Sequence, residues 1–258
     1  MQYDFNFYKN RDESTRYSAT TVLSLLTRAM PALRSAVDVG CGVGTWLVVL
    51  RSRGIKDILG IDGPWVQDSL LQIPVECFRR HDLSTPLNIS RRFDLAISLE
   101  VAEHLPESAA ESFVAGLAGL ADTVLFSAAI PGQGGTNHVN EQWQDYWVER
   151  FCASGYAVHD IVRPHIWSDP RIPFWYRQNT LVFAKADIRF RDVPGLEAPA
   201  GGQISIVHPE QFVAKNMDRL GVRECSALTL RAVRRYFSAR HAIQTRAPQA
   251  ASDTRDPS

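Results

Sequence analysis

The sequence predicts an α/β fold in which a mostly parallel sheet is covered by helices on both faces. Apolar segments of strand length alternate along the chain with segments of helical spacing, and this alternation is typical of parallel sheets. The 258 residues, 45% hydrophobic and 22% charged, are enough for one such domain and an appended segment.

Helices and strands alternate up to about residue 185. Regular spacing of apolar residues predicts helices over 14–33, 45–53, 107–120 and 140–154. Short apolar runs predict strands over 36–40, 57–62, 75–78, 93–99, 122–127, 156–163 and 179–184. Pro31 and Gly54 mark the ends of the first two helices, and Pro106 lies near the start of the third. An aromatic-rich loop rather than a helix joins the last two strands, which we expect to pair antiparallel at one edge.

The chain changes character after Lys185. Residues 194–202 are rich in Pro and Gly and predict a linker, followed by helices over 209–220 and 226–241. From about Gln244 the composition predicts disorder. We therefore expect an N-terminal helical cap, a main α/β domain, a C-terminal helical extension and a disordered tail, over 1–34, 35–186, 187–243 and 244–258.

Composition argues against several classes of protein. Lys plus Arg and Asp plus Glu both number 28, and the resulting zero net charge argues against whole-surface binding to nucleic acid or anionic lipid. The four cysteines are scattered without a Cys-x-x-Cys pair, which predicts reduced thiols rather than a zinc site. The polar N-terminus does not resemble a signal peptide, and no apolar run is long enough for a bilayer, so we expect a cytoplasmic protein.

A glycine-rich turn lies between the first predicted strand and the helix that follows it. Gly40, Gly42 and Gly44 form a G-x-G-x-G pattern, at a position where missing side chains allow a ligand to approach the backbone closely. Thr45 stands where a dinucleotide fingerprint has its third glycine. The turn therefore disfavours a pyrophosphate cradle, and the structural alternative is that its glycines only tighten the packing of the strand on the helix.

Two aspartates follow the next predicted strands. Asp62 ends the second strand about twenty residues after the turn, where an acidic side chain binds the hydroxyls of a ribose. Asp82 follows the third strand and is placed to meet an adenine amino group. The structural alternative for either residue is a helix N-cap or a solvated loop position.

Four segments together resemble the successive motifs of class I S-adenosylmethionine-dependent methyltransferases. They are DVGCGVG, GID, DL and FDLAISLEVAEHL, at residues 38–44, 60–62, 82–83 and 93–105. The resemblance covers roughly residues 35–185 and respects the order and spacing of the motifs. It implies a Rossmann-like sheet of seven strands with the last strand antiparallel. S-adenosylmethionine would then lie across the carboxyl ends of the first strands.

The resemblance also implies which residues bind this cofactor. The glycines of the turn would line its methionine part with Asp38 near the amino group, while Asp62 would hold the ribose. The full set that we expect to bind the cofactor is Asp38, Gly40, Cys41, Gly42, Gly44, Asp62, Gly63, Asp82, Leu83, Leu99 and Glu100.

Residues 130–143 resemble a bacterial subgroup within this superfamily. The segment is IPGQGGTNHVNEQW, and we associate the subgroup loosely with surface-polysaccharide genes. The acceptor of the methyl group does not follow from this resemblance.

Acidic and imidazole side chains follow the fourth and fifth predicted strands. Glu100, Glu103 and His104 come after the fourth strand and His138 after the fifth, and the implied topology makes these strands neighbours. Transfer to a hydroxyl needs an aligned acceptor and removal of its proton, by a general base or by a metal that acidifies it. We therefore expect His138, His104 and Glu103 to be catalytic.

The same cluster leaves a metal alternative open. Glu100, Glu103, His104 and His138 would offer two carboxylates and two imidazoles, a set that suits Mg, Mn, Fe or Zn. The spacing resembles the metal site of small-RNA 3′-terminal 2′-O-methyltransferases and, in part, that of ubiquinone-pathway O-methyltransferases. A divalent metal is nevertheless not favoured, because Glu-x-x-Glu-His in this superfamily often only caps a helix and packs near the cofactor.

The favoured function is O-methylation of a small-molecule or saccharide hydroxyl. Aromatic residues over 165–176 suit such acceptors, whereas Trp143 and Trp147, four residues apart, are expected in the core. Methylation of amino groups is disfavoured because the strand-four motif has no Asn/Asp-Pro-Pro-Tyr sequence.

Two other functions rank lower. RNA 2′-O-methylation is motivated by the metal alternative and by the arginines after residue 218, but a balanced charge makes nucleic acid an unlikely partner. A non-catalytic cofactor-binding scaffold is disfavoured because the glycine turn and Asp62 are intact. We expect no membrane partner, and a monomer or homodimer.

Overall fold

A seven-stranded sheet forms the centre of the part of the chain that the computed structural model describes, residues 5–188, 190 and 203–217. Its strands are β1 (Ser35–Val39), β2 (Asp57–Asp62), β3 (Phe78–Arg80), β4 (Leu95–Leu99), β5 (Thr123–Ser127), β6 (Tyr156–His159) and β7 (Leu181–Lys185). They lie in the order β3-β2-β1-β4-β5-β7-β6. Because strands β1 to β5 pair in parallel, their carboxyl ends meet at one edge of the sheet.

The last two strands confirm the predicted antiparallel pairing. Strand β7 lies between β5 and β6 and runs antiparallel to both, with Leu125 opposite Val182 and Val158 opposite Phe183. The predicted α/β fold with a mostly parallel sheet is therefore confirmed.

Seven helices are found in the described residues. They are α1 (Phe5–Ala29), α2 (Thr45–Ser52), α3 (Ala110–Leu120), α4 (Gln144–Ala153), α5 (Arg163–Ile166), α6 (Phe174–Asn179) and α7 (Pro209–Met217). Helix α1 begins earlier than predicted. Helices α5 and α6 occupy the connection between β6 and β7, where we expected a loop; prolines at 164 and 173 begin them, since a fixed φ suits the first turn of a helix.

The third strand lies further along the chain than predicted. Residues Val75–Cys77 form a 3₁₀ turn after Pro74 instead of a strand. Pairing with β2 begins only at Phe78, which lies opposite Gly60. A short apolar run does not distinguish a turn from a strand, and the hydrogen bonds of the neighbouring strand decide between them.

Both faces of the sheet are buried. One core cluster packs Leu23 of α1 and Leu47 of α2 against Ile97, and the other packs Phe113 of α3 and Trp147 of α4 against the opposite face. Successive residues of the central strands alternate between these clusters, which explains why the strands are continuously apolar. Complete burial of one such side chain stabilises the fold by about 1.5–3 kcal/mol.

The described residues up to Phe212 form one compact unit, and those from Val213 belong to a second unit. The helix predicted over 209–220 is α7 as far as the structure describes it; the helix predicted over 226–241 and the predicted disorder after Gln244 lie outside the described residues. Cys41, Cys77 and Cys152 are free thiols, and Cys225 is outside the described part. Among the described helices, none is both long and apolar enough to span a bilayer.

Candidate active site

The glycine turn connects β1 to α2 at the carboxyl edge of the sheet. Gly40 and Gly44 have φ angles of 84° and 87°, in the left-handed region that favours glycine. A Cβ at Gly40 would collide with Val101, and one at Gly44 would press on Ile73. Larger residues would therefore both strain the backbone and displace the neighbouring loops.

Two buried carboxylates flank the turn. Asp62, at the end of β2, accepts hydrogen bonds from the backbone N–H groups of Gly42 (2.7 Å) and Gly63 (2.6 Å). Burial nevertheless raises its pKa. Asp38 is 2% exposed, and burial together with the neighbouring Asp62 raises its pKa well above the ordinary range. Its Oδ2 makes no hydrogen bond within the described residues.

The other cofactor residues predicted from the sequence surround this turn. Cys41 and Leu83 are buried, and burial raises the pKa of the Cys41 thiol, with Asp38 and Asp62 adding to the shift. Gly63 lies under the Trp65 ring, which would collide with a Cβ there. Trp65 is 40% exposed and was not predicted.

Asp82 is the most exposed of the predicted cofactor residues. Its carboxylate accepts hydrogen bonds from the backbone N–H (3.0 Å) and the hydroxyl (2.7 Å) of Ser84. The Ser84 hydroxyl lowers the pKa of Asp82. Asp82 therefore stabilises a local turn in an exposed loop, which agrees with the structural alternative of a solvated loop position. A contact between Asp82 and adenine stays a prediction.

Helix α1 reaches the glycine turn through a polar cluster. The Arg16 guanidinium donates to Gln72 Oε1 (2.6 Å), and Gln72 Nε2 donates to Asp12 Oδ1 (2.7 Å). The backbone N–H of Gln72 in turn donates to the carbonyl of Val43 inside the glycine turn. The N-terminal helix is therefore fixed to the turn by side chains as well as by its apolar face.

Glu100 follows β4 in an unusual backbone conformation. Its φ of 56° lies in the left-handed region, which costs a non-glycine residue roughly 1–2 kcal/mol. Its backbone N–H donates to the carbonyl of Ser127, and its carboxylate accepts from Asn179 Nδ2 (3.1 Å) and Gln133 Nε2 (2.8 Å). Burial raises the pKa of Glu100 although these amides oppose the shift. Leu99, the last residue of β4, is buried beside it.

Glu103 is fully buried in the 3₁₀ turn that follows. Burial and the neighbouring Glu100 raise its pKa well above the ordinary range. Its carboxylate lies near the N–H groups of its own residue and Ala129, which lower the pKa, but forms no well-aligned hydrogen bond within the described residues. Its carbonyl accepts the N–H groups of Val139 and Asn140.

Residues 130–143, which we call the His138 loop, are organised by Glu141. Its carboxylate accepts hydrogen bonds from the backbone N–H groups of Gly132 (2.8 Å) and Gly134 (2.6 Å) and lies 2.9 Å from His138 Nδ1. A carboxylate at Nδ1 favours the tautomer that carries its proton there and leaves Nε2 as an acceptor. The imidazole packs on Gly135, where a Cβ would collide with it.

The predicted catalytic residues lie together. The imidazoles of His104 and His138 meet edge to face, with 4.9 Å between ring centroids. Glu103, His104 and His138 each offer a ligand atom, and these atoms lie within 4.8 Å of one another. Glu100 is the fourth residue of the metal alternative, but its carboxylate accepts hydrogen bonds from the amides of Gln133 and Asn179. Metal binding here stays an untested alternative.

Sequence reasoning missed several residues around this cluster. Gln133 and Glu141 belong to the loop whose resemblance was noted, but a loop sequence does not indicate which side chains turn inward. Asn179 was assigned to a strand, and it ends α6. Trp147 lies in the core as predicted, whereas Trp143 does not: it is 44% exposed and precedes the first turn of α4.

Trp143 lines an open groove of about 700 Å³. Trp167, Asp160 and Arg163 also line it, and Arg163 donates to both carboxylate oxygens of Asp160, at 2.9 Å and 2.8 Å. The groove therefore combines indole faces with a charged pair.

Comparisons with known proteins agree with this architecture. A family model described as a methyltransferase domain matches residues 10–160, more than half of the chain. No curated protein sequence gives a significant match. The resemblance of the His138 loop to a bacterial subgroup stays a prediction.

Solved structures share the fold at low sequence identity. Magnesium protoporphyrin IX methyltransferase from Synechocystis PCC 6803, with bound SAH, is 18% identical with a TM-score of 0.50, over 72% of this chain and 90% of that chain. CalS10, an amino pentose methyltransferase from Micromonospora echinaspora with bound SAM, is 16% identical with a TM-score of 0.50, over 69% and 94%. An O-methyltransferase family protein from Burkholderia thailandensis is 16% identical with a TM-score of 0.50, over 70% and 57%.

Proposed function

Since the chain belongs to the methyltransferase-domain family and is an S-adenosylmethionine-dependent methyltransferase, we propose that it methylates a hydroxyl of a small-molecule or saccharide acceptor. The observation that carries the proposal is the pair formed by His138 and Glu141, 2.9 Å apart. A hydroxyl is a poor nucleophile until its proton is taken, and an imidazole held by a carboxylate is suited to take it.

The residues of the cofactor side fit S-adenosylmethionine. Asp38 Oδ2 is buried without a hydrogen bond, and a cationic amino group is a suitable partner for it. Gly40 and Gly44 hold the turn in a left-handed conformation that an L side chain would strain. Each carboxylate oxygen of Asp62 accepts one backbone N–H and keeps a second lone pair, through which it would accept a ribose hydroxyl.

His138, Glu141 and Glu100 would each have one part in the chemical step. When bound, the cofactor supplies an electrophilic methyl group on sulfur. The acceptor oxygen would take this methyl group from sulfur, and His138 Nε2 would accept the hydroxyl proton. Glu141 stabilises the imidazolium that results. Glu100 lies near enough to His138 for this imidazole to oppose the rise in its pKa, and it would contact the cofactor beside the incoming oxygen.

Two features support a small or saccharide acceptor. The segment at the end of β4, Leu99-Glu100-Val101, lacks the sequence that binds amino groups in N-methyltransferases. The groove beside the His138 loop offers the partly exposed indole of Trp143 near the carboxylate of Asp160, and sugar rings bind to such combinations of an apolar face and polar edges.

The experiment starts from an extract of the source cells. The purified full chain is incubated with S-adenosylmethionine labelled in the methyl group and with fractions of the extract, and the labelled product is identified by mass spectrometry and NMR. A methyl ether supports the proposal, and a methylated amine or carboxyl group contradicts it. Tight cofactor binding without labelling of any fraction would favour the non-catalytic scaffold.

A second candidate, metal-assisted 2′-O-methylation of RNA, is favoured by the grouping of Glu103, His104 and His138. A metal bound there would lower the pKa of the acceptor hydroxyl. Exhaustive chelation followed by addition of Mn²⁺ tests it. Activity that chelation abolishes and Mn²⁺ restores, on a short RNA, supports this candidate, and activity that survives chelation excludes it.

A further inference from the structure

Buried carboxamide side chains connect Glu100 to a segment much further along the chain. Gln133, Gln178 and Asn179 are at most 8% exposed. Gln178 Nε2 donates to Asn179 Oδ1 (3.0 Å), and Asn179 Nδ2 donates to Gln133 Oε1 (2.9 Å). We call these three side chains the carboxamide chain. One end contacts Glu100 and the other contacts His208.

The contact with His208 gives the carboxamide chain a direction. The backbone N–H of His208 donates to Gln178 Oε1 (2.7 Å), and a backbone N–H cannot exchange its role for that of an acceptor. Gln178 must therefore turn its oxygen toward His208 and its amino group toward Asn179. The same amino group donates to Gln211 Oε1 (2.8 Å), which agrees with this orientation.

The direction continues to Glu100. Because Asn179 Oδ1 accepts from Gln178, its Nδ2 is turned toward Glu100 Oε1, 3.1 Å away. Gln133 accepts from Asn179 in the same way and donates its own Nε2 to Glu100 Oε2 at 2.8 Å. A reversed amide would place two oxygen atoms or two amino groups in contact at each junction, a repulsion that a buried site does not screen.

The segment that sets this direction is itself firmly held. Gln144 Nε2 donates to the carbonyl of Ile206 (3.0 Å), and the Arg163 guanidinium donates to the carbonyl of Ile204 (2.8 Å). Residues 203–212, which we call the C-terminal segment, therefore present the His208 N–H at a fixed place. This segment lies beyond the part of the chain that matches the family model.

We propose that Gln178 is a positioning residue for methyl transfer, through which the C-terminal segment sets the orientation of Glu100. Without Gln178, Asn179 Oδ1 loses its donor, and the two amides that hold the strained Glu100 lose the contact that ties their position to the C-terminal segment. The inference rests on the proposed function, because it takes Glu100 to act beside the transferred methyl group.

The experiment compares Gln178→Met with Gln144→Met. Both variants remove a buried amide that anchors the C-terminal segment, but only Gln178 belongs to the carboxamide chain. When Gln144 is replaced, the contact between Arg163 and the Ile204 carbonyl still holds the segment. Rates are measured with tritiated S-adenosylmethionine at saturation and serial dilutions of the extract fraction that the wild-type enzyme labels. We expect Gln178→Met to lower the maximal rate about tenfold or more, with the half-saturating amount within about twofold. Gln144→Met is expected to keep the maximal rate within about twofold while its melting temperature falls.

The outcomes separate this inference from the proposed function. A wild-type enzyme that labels no fraction contradicts the proposed function. If the wild type labels a fraction but the two variants have equal maximal rates, the inference is overturned. It is also overturned if Gln178→Met changes only the half-saturating amount of the acceptor and leaves the maximal rate unchanged. If Gln178→Met does not fold, Asn179→Asp keeps the shape and replaces the donor to Glu100 by an acceptor. Its maximal rate should fall at least as far, and an unchanged rate overturns the inference equally.

Discussion

The cofactor side of the site is built from local backbone, whereas the acceptor side is built from side chains that come together from distant segments. The glycine turn and Asp62 lie within 25 residues of one another, and backbone N–H groups satisfy the Asp62 carboxylate. On the acceptor side, Glu100 is held by Asn179, 79 residues further along the chain. The hydrogen bonds that fix Asp62 at the glycine turn therefore depend on β1, β2 and the residues that directly follow them, whereas those that fix Glu100 depend on the complete sheet.

Two buried carboxylates, Asp62 on the cofactor side and Glu103 on the acceptor side, differ in how they are satisfied. Glu103, on the acceptor side, is more deeply buried than Asp62 and has no well-aligned hydrogen bond among the described residues. An unsatisfied buried polar group costs about 1–3 kcal/mol, more if it is charged. Asp38, on the cofactor side, also has a buried oxygen without a hydrogen bond among the described residues, so the contrast in stability is between Glu103 and Asp62. Each prediction below tests one side while the other serves as its reference.

The largest effect is expected at His138. Replacing it by alanine in His138→Ala removes the proposed base, and general-base catalysis contributes about 10²- to 10⁴-fold to a rate. We expect kcat to fall by that order while calorimetry shows cofactor affinity unchanged, because His138 lies on the acceptor side. His159→Ala, on β6, is the control. A variant at His138 that keeps the wild-type rate would remove the base from the mechanism.

The next largest effect belongs to the cofactor side. Asp62→Ala removes a carboxylate that holds the turn and would bind the ribose, and hydrogen bonds to charged groups contribute about 1.5–3 kcal/mol. We expect cofactor affinity, measured by calorimetry, to weaken by about 10- to 100-fold. Asp57→Ala, at the exposed start of the same strand, should bind normally. Normal binding by Asp62→Ala would show that the cofactor does not depend on this strand end.

The contrast in stability between Glu103 and Asp62 is tested at Glu103. Because its pKa is raised in the folded protein, its contribution to stability is present below the ordinary pKa of glutamate and is lost as pH rises through the raised value. Glu103→Gln mimics the protonated form at every pH. We expect its melting temperature to equal that of the wild type near pH 4 and to exceed it at pH 8, by the equivalent of about 1–3 kcal/mol.

Glu107→Gln provides the reference for that measurement. Glu107 is exposed in the neighbouring 3₁₀ turn, so its replacement should give the same small difference at both pH values. A Glu103→Gln variant that is less stable than the wild type at pH 8 would mean that the Glu103 carboxylate is well satisfied, and the proposed contrast between Glu103 and Asp62 would fail.

The difference between the two sides also explains which site residues could be predicted from the sequence. Gly40, Gly44 and Asp62 belong to a contiguous motif and to the strand end that follows it, so residue spacing and the family resemblance together predict that they lie in one site. Glu141 and Asn179 gain their roles only after β5 and β7 have paired and the His138 loop has closed. Spacing along the chain carries no information about such contacts, and the buried amides around Glu100 were therefore missed.

Trp143 shows a second limit of sequence reasoning, and it gives the smallest predicted effect. Its spacing from Trp147 suggested that both indoles share the buried face of one helix. Helix α4, however, begins at Gln144, so Trp143 precedes the helix and helical spacing does not apply to it. Its side chain is 44% exposed, compared with 2% for Trp147.

Replacing these two indoles therefore separates acceptor binding from folding. Trp143→Ala removes a ring face in the groove, and an aromatic contact contributes about 0.5–1.5 kcal/mol, so the half-saturating amount of acceptor should rise by roughly 2- to 12-fold. Its kcat and melting temperature should change little, because the indole bears on neither the proton transfer nor the core. Trp147→Ala should instead lower the stability by about 3–5 kcal/mol. A Trp143→Ala enzyme with unchanged acceptor dependence would place the acceptor elsewhere on this side of the sheet, away from the groove.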